Sequence, residues 1–258
     1  MKRTQLDALP ADLPAEFAEL CRGAEVYDSS CSPQARVLYI DRGRGCFLKS
    51  APRGSLEREA TMARYFHSKG LTAPVLAYES IGERDFLLTE RVVGEDATTA
   101  CYLSDPRRLA RLSGELLRRL HEMDGSDCPV QDRMESYFAL AEENYAAGQF
   151  DLSYGEFGSA DEAYRFMKEG RELLCSDTLL HGDYCLPNFM LDDWRFSGFI
   201  DLGNGGIGDR HVDIYWGIWT LKFNLGTDAY APDFMDAYGH DRIDPIAIRV
   251  ISAAEIFG

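Results

Sequence analysis

His181, Gly182 and Asp183 are followed, five positions beyond the aspartate, by Asn188, and a later apolar run delivers Asp201 into Leu202-Gly203. Asp183, Asn188 and Asp201 all carry side-chain oxygens, the ligand type that a hard divalent cation takes. Asp, Asn and Gly also favour turns for purely local reasons, so the pattern gains meaning only from other residues that would share its chemistry. Phosphoryl transfer needs the phosphates gripped, the developing charge spread by metal ions, and the acceptor hydroxyl held in line. Asp183 stands where it would orient that hydroxyl or accept its proton, while Asn188 and Asp201 would hold magnesium.

Two short apolar runs, Thr178-Leu-Leu before His181 and Phe196-Ser-Gly-Phe-Ile before Asp201, must position these residues. Upstream, Arg36-Val-Leu-Tyr-Ile40 and Gly45-Cys-Phe-Leu-Lys49 flank Asp41-Arg-Gly43 and read as a β-hairpin, which leaves Lys49 at a strand end. Ser55 offers an N-cap for a helix over residues 56–69, where Leu56, Ala60, Ala63 and Phe66 recur at helical spacing and Gly70 supplies the stop. Residues 75–79 and 86–90 form a second hairpin around Gly82. Ser104-Asp105-Pro106 then opens a helix with Leu109, Leu112, Leu116, Leu120 and Met123 on one face. Further helices are expected at about 132–147, 160–174, 211–224 and 245–256. The expectation is an α+β fold: an N-terminal antiparallel β lobe with one main helix over residues 1–91, then a mainly helical lobe over 92–258 carrying the motif.

The chain has 43 acidic and 27 basic residues among 258, a formal charge of −16, which disfavours nucleic acid and anionic membranes and attracts a cationic small molecule. Acidity also serves solubility by itself, so the charge alone names no partner. Seven cysteines with no Cys-x-x-Cys spacing indicate neither a disulfide framework nor a zinc site. Met1-Lys-Arg-Thr-Gln leads to Asp7 and Asp12 without an apolar leader, and no apolar run is long enough to span a bilayer, so a cytoplasmic location is expected.

The interval between Asp183 and Asn188 equals that of the protein-kinase catalytic loop, and Asp201-Leu-Gly stands where kinases have Asp-Phe-Gly. With Leu120-His, Ser126-Asp-Cys-Pro129, Phe196 to Gly203, Asp209-Arg-x-x-Asp-Ile214 and Glu255-Ile-Phe257, the chain resembles the aminoglycoside 3'-phosphotransferases. These are bacterial antibiotic-resistance enzymes with a two-lobed protein-kinase-like fold, and the resemblance runs from about residue 25 to 257. It implies ATP (or GTP) and Mg2+ as cofactors and Asp183 as the catalytic residue. Lys49 would contact the α- and β-phosphates, held by an ion pair to Glu59. Phe47 matches the family's adenine-stacking aromatic, although an ordinary core phenylalanine would read the same way. Ser29 to Gln34 replaces a Gly-rich loop, with Ser32 near its centre, and Glu90-Arg-Val92 falls where the linker between the lobes would pair adenine through its backbone. The resemblance makes His181 and His121 structural and gives Asp209 and Asp213 the task of bracing the catalytic loop.

The family surrounds its acceptor with carboxylates, and Glu255 matches one of them. Asp233, Glu156 and Asp151 lie in the regions that supply the rest, where each would also suit a solvated surface. Ala254 stands where the family usually has Asp, Trp219 where it has Arg, and Gly258 follows the aromatic on which the family ends. These departures bear on the acceptor and leave the ATP chemistry untouched. The expected function is an ATP- and Mg2+-dependent kinase of the 3'-hydroxyl of aminoglycosides, monomeric or weakly dimeric. The alternatives are a kinase of another small hydroxyl compound, such as a macrolide or a metabolic amine, or a non-catalytic nucleotide-binding scaffold.

Overall fold

The computed structural model describes residues 3–258. The chain packs as two compact units: the first runs to Asp96 and takes in Phe189–Gly203, and the second comprises Ala97–Asn188 and Asn204–Gly258. The sequence suggests one division, after residue 91, and does not show the return of Phe189–Gly203.

The first unit is built on the strands β1 (Thr4–Gln5), β2 (Glu25–Asp28), β3 (Arg36–Asp41), β4 (Cys46–Pro52), β5 (Val75–Ile81) and β6 (Arg84–Glu90). They form one sheet in the order β1-β2-β3-β4-β6-β5, with every neighbouring pair antiparallel. Because side chains alternate between faces, the register decides what each face holds. Leu38, Ile40, Leu48, Phe86 and Leu88 share one face and bury against Phe17 of the short helix α1 (Ala15–Leu20), whose ring stacks on Phe86 at 5.3 Å. Burying one such side chain contributes about 1.5–3 kcal/mol. The intervening residues, among them Val37, Phe47, Lys49 and Leu87, line a cavity on the opposite face.

Helix α2 (Glu57–Ser68) spans nearly the expected residues, but its start is held differently. The Ser55 hydroxyl turns back to the carbonyl of Pro52 and caps nothing. Asp85 on β6 does that work from across the sheet: its carboxylate accepts the Leu56 N–H at 3.1 Å, the Tyr78 hydroxyl at 3.1 Å and the Ser80 hydroxyl at 2.6 Å. Burial opposes the charge on Asp85, but the bonds from Ser80 and from the backbone of Leu56 and Gly54 outweigh it and hold its pKa below the usual range. A strand residue therefore fastens α2 to the sheet, a bond invisible to local sequence rules.

β7 (Glu95–Asp96) closes the N-terminal part, and the second unit opens with α3 (Ala100–Leu103) and α4 (Pro106–His121). Asp105 caps α4 by accepting the Arg108 N–H, with proline at the first helical position, and Leu109, Leu116, Leu117 and Leu120 are buried. α5 (Arg133–Ala146) and α6 (Ala160–Gly170) follow; α6 is shorter than expected because the chain tightens into a 3-10 turn at Arg171–Leu173. After β8 (Thr178–Leu180) the chain re-enters the first unit as β9 (Phe189–Asp192) and β10 (Arg195–Phe199). There β9 pairs with both β10 and β7, and the Phe199 N–H donates to Leu71 O at 2.8 Å. The second unit resumes with β11 (Gly206–Gly208), paired with β8, and ends with α7 (His211–Leu225), α8 (Ala231–Tyr238) and α9 (Pro245–Glu255). Its core joins Met134, Phe138, Met167, Val212, Ile251 and Phe257. No helix among the described residues is long and apolar enough to cross a membrane.

Candidate active site

In the first unit, the cavity of about 330 Å³ on the sheet is lined by Ser32, Phe47, Lys49, Glu59, Glu90 and Val92, which are the six residues expected to contact a nucleotide. The Lys49 ammonium donates to Glu59 Oε2 at 2.8 Å and to Asp201 Oδ1 at 3.0 Å. Burial disfavours that ammonium, but the Asp201 and Glu59 charges outweigh it and hold Lys49 protonated above the usual lysine range. Asp201 has φ 56°, a left-handed backbone whose strain at a non-glycine residue is on the order of 1 kcal/mol. The turn is fixed just upstream, where the Thr72 hydroxyl donates to Phe199 O at 2.6 Å. At the other end of the cavity the Glu90 N–H donates to Pro74 O and the Arg91 N–H to Gly45 O. The Val92 N–H makes no such backbone bond among the described residues.

In the second unit, the loop after β8 is held by buried Asp213 on α7. One of its oxygens accepts the His181 N–H at 2.8 Å and the other the Gly182 N–H at 2.7 Å. His121 completes the brace: its Nε2 lies 3.1 Å from Asp213 and its Nδ1 2.9 Å from the Tyr238 hydroxyl. Burial pulls the His121 pKa down, so the neutral ring donates from Nε2 to the carboxylate and accepts from Tyr238. Gly182 has φ 84°, and a Cβ there would fall 1.8 Å from Asn204 O, so no other residue fits. The Asn188 amide then donates to Asp183 twice, to Oδ2 at 2.8 Å and to the backbone carbonyl at 3.0 Å. Asp209 acts at a distance from this loop, accepting the backbone N–H groups of Cys175 and His211.

The four residues expected to meet a cationic acceptor separate here. Glu255, at the end of α9, is buried, and its Oε1 accepts the Tyr137 hydroxyl at 2.8 Å and Trp216 Nε1–H at 3.0 Å. Burial lifts its pKa to about 7; Tyr137, Trp216 and Arg133 oppose the rise, and the Asp183 charge adds to it. Asp233 is not the free carboxylate read from the sequence. It is buried on α8 with Arg107 at 3.3 Å and Arg111 at 3.0 Å from its oxygens, so its charge is already neutralised. Glu156 is exposed, as is Asp151, which caps the Ser153 N–H. Ala254 packs into the core of this unit, and Trp219 stacks between Tyr154 and Phe223 with ring centroids 5.6 and 4.9 Å away.

The model of the phosphotransferase enzyme family matches residues 26–248. The chain belongs to that family. A Lactococcus lactis protein named "probable aminoglycoside 3'-phosphotransferase" is 44% identical to this phosphotransferase over 248 residues, 95% of each chain. Among solved structures, the crystal structure of an aminoglycoside-3'-phosphotransferase of type VIII superposes with a TM-score of 0.75 at 22% identity, covering 95% of this chain and 100% of the other. An aminoglycoside phosphotransferase from Streptomyces rimosus, in complex with ADP and streptomycin, gives 0.74 at 23% identity over 94% and 97% of the two chains. These structures establish the kinase-like α+β fold of this phosphotransferase.

Sequence reasoning missed several residues that hold the site of this phosphotransferase. Arg133 donates to Asn204 O at 2.7 Å, the carbonyl that closes over Gly182, and Thr220 on α7 accepts the Leu186 N–H at 3.1 Å. Neither carries a local signal, because each acts on backbone far away in the chain. Ser29 is 3% exposed in the cavity wall, and its hydroxyl has no partner among the described residues.

Proposed function

We propose that this phosphotransferase moves the γ-phosphoryl group of ATP to the 3'-hydroxyl of an aminoglycoside and so protects a cell against the drug. The observation that carries the reading is the Lys49–Glu59–Asp201 cluster at a cavity of about 330 Å³, the size range of small-ligand pockets. Lys49, fixed in its charged form, grips phosphate oxygens. The ring of Phe47 offers a stacking face for the base, and the Val92 N–H a donor for its edge. Asp183, oriented by the Asn188 amide, holds the acceptor hydroxyl and takes up its proton as the new O–P bond forms.

Magnesium suits the residues present. Asn188 gives its NH2 to Asp183, which leaves the amide oxygen as its acceptor atom, and Asp201 offers a second carboxylate oxygen beyond the one that Lys49 takes. An ion held by Asp201, beside Lys49, would spread the charge that develops on the phosphate oxygens. The aminoglycoside reading draws on the name of the Lactococcus lactis relative and on the ADP and streptomycin of the Streptomyces rimosus complex. The formal charge of −16 and buried Glu255 agree with a cationic acceptor. The stack of Tyr154, Trp219 and Phe223 favours a second reading, in which the acceptor is another small hydroxyl compound with an apolar face.

ATP consumption measured against aminoglycosides with and without a 3'-hydroxyl, and against macrolides, tests both. Turnover confined to the 3'-hydroxyl drugs supports the proposal; turnover only with other acceptors overturns it in favour of the second reading. Binding of ATP without turnover in the presence of any of these acceptors would leave a non-catalytic scaffold.

A further inference from the structure

The outer strands of the first sheet bring one more charged group to the cavity. Thr4 on β1 pairs with Asp28, and Gln5 with Tyr27. Tyr27, Tyr39, Phe47 and Thr89 stand opposite one another on successive strands, so they share a face, which Phe47 and Thr89 identify as the cavity side. Two residues before Gln5, Arg3 returns to the same side and lines the cavity. Its guanidinium lies 3.9 Å over the Tyr39 ring and 5.5 Å from the centre of Phe47. The two rings are themselves 5.1 Å apart and tilted by 45°, with the guanidinium over Tyr39.

The cavity of about 330 Å³ that Arg3 and Phe47 both line has room for a flat base. A purine stacked on Phe47 would lie beside the guanidinium, whose five N–H donors reach outward to whatever acceptor edge adjoins it. A second observation puts polar ligand atoms at this end of the cavity. Ser29 follows Asp28, the partner of Thr4, and its buried hydroxyl is the unpaired one in the cavity wall. A buried donor without a partner is unfavourable until a ligand atom meets it.

We propose that Arg3 is a nucleotide-binding residue whose guanidinium, held over Tyr39, donates hydrogen bonds to the acceptor edge of a purine stacked on Phe47. The inference rests on reading this cavity as the ATP site, and it adds a contact from β1, a strand to which neither the motifs nor the resemblance gives any part. The contact is to the base, so it does not depend on phosphates.

Calorimetric titration of the full chain with adenosine and with ADP tests it, using wild type, Arg3→Ala and Arg3→Lys. Loss of a charge-assisted hydrogen bond corresponds to about a tenfold weaker dissociation constant. Arg3→Ala is expected to lose that factor for both ligands alike. Arg3→Lys should recover little of it, since an ammonium is a point charge without the rigid fork of donors that a guanidinium presents. Wild-type affinity in Arg3→Ala overturns the proposal, and so does a loss for ADP with none for adenosine, which would make Arg3 a phosphate contact. Failure of the wild type to bind either ligand is a different result: it removes the nucleotide reading of the cavity itself. If Arg3→Ala melts at a lower temperature than wild type, Arg3→Lys carries the comparison.

Discussion

The two units hold their working carboxylates in opposite ways. In the first, Glu59 and Asp201 are gathered around Lys49, so negative charge is met by a half-buried cation within 3.0 Å. In the second, Asp183 and Glu255 are held by neutral donors, the Asn188 amide for one and Tyr137 and Trp216 for the other. An ion pair fixes a cation to receive an anion; neutral donors orient a carboxylate and leave its charge for a cation from outside. The first arrangement suits phosphate and the second an ammonium-bearing acceptor. On the function proposed above, one strongly acidic chain would recognise ligands of opposite sign through what stands beside each carboxylate.

The sharpest way to break this comparison is to remove Asp183. If Asp183 aligns the hydroxyl and takes its proton as proposed, its loss lowers kcat by roughly 10²–10⁴-fold. Nucleotide affinity, which the proposed function assigns to the first unit, should stay within about twofold, as nucleotide titration of Asp183→Ala would show. A variant that keeps near-wild-type turnover would end the assignment. Lys49→Met and Glu59→Gln come next, with kcat/KM for ATP lower by roughly 10²-fold. Because the two residues act as a pair, the double variant should fall little further than Lys49→Met alone. Losses that simply add would mean that Glu59 has a task apart from holding Lys49.

How far each region could be read from the chain follows the same division. The Asp183 to Asn188 loop was legible because a short motif operates within a few residues, and Lys49 and Glu59 through the family resemblance that this motif helps to carry. The packing of Phe189–Gly203 with the first unit was not, since it depends on β7 meeting β9 nearly a hundred residues later in the chain. Asp85 illustrates the limit in one residue. Local rules favour Ser55 as the cap of α2, yet the carboxylate that takes the Leu56 N–H comes from β6, 29 positions away. On the acceptor side the loss is greater, because helix α8 was not foreseen and Asp233 could not be matched with Arg107 and Arg111 on α4.

Glu255 gives the comparison a pH axis. Its folded pKa of about 7 lies above its ordinary 4.5, so between those values the unfolded chain ionises first. This group therefore favours the folded state at low pH, and that contribution is lost as pH rises through about 7. Glu255→Gln cannot ionise, so its melting temperature relative to wild type should rise on going from pH 5 to pH 8. Binding runs the other way, since the charge that attracts an ammonium appears only as pH rises. Between about pH 6 and 7.5, where alkylammonium groups remain largely protonated, the wild-type KM for a cationic acceptor should fall. In Glu255→Gln it should stay flat and, at pH 7.5, lie about tenfold higher. A parallel fall in both proteins would assign the pH dependence to some other group.

The smallest expected effect is the one that separates a neutralised carboxylate from an open one. Asp233 and Glu255 are both buried acids on helices of the same unit, and a count of acidic residues cannot tell them apart. Asp233 faces two arginines whose side chains are 66% and 59% exposed, so water screens much of the attraction. Asp233→Asn should then lower stability by roughly 1 kcal/mol or less and leave the acceptor KM within about twofold. Steady-state kinetics beside a denaturant melt measures both. A tenfold rise in KM, matching that of Glu255→Gln, would show that Asp233 reaches the acceptor despite its arginines, and the distinction between paired and unpaired carboxylates would fail as a guide to which acids bind the ligand.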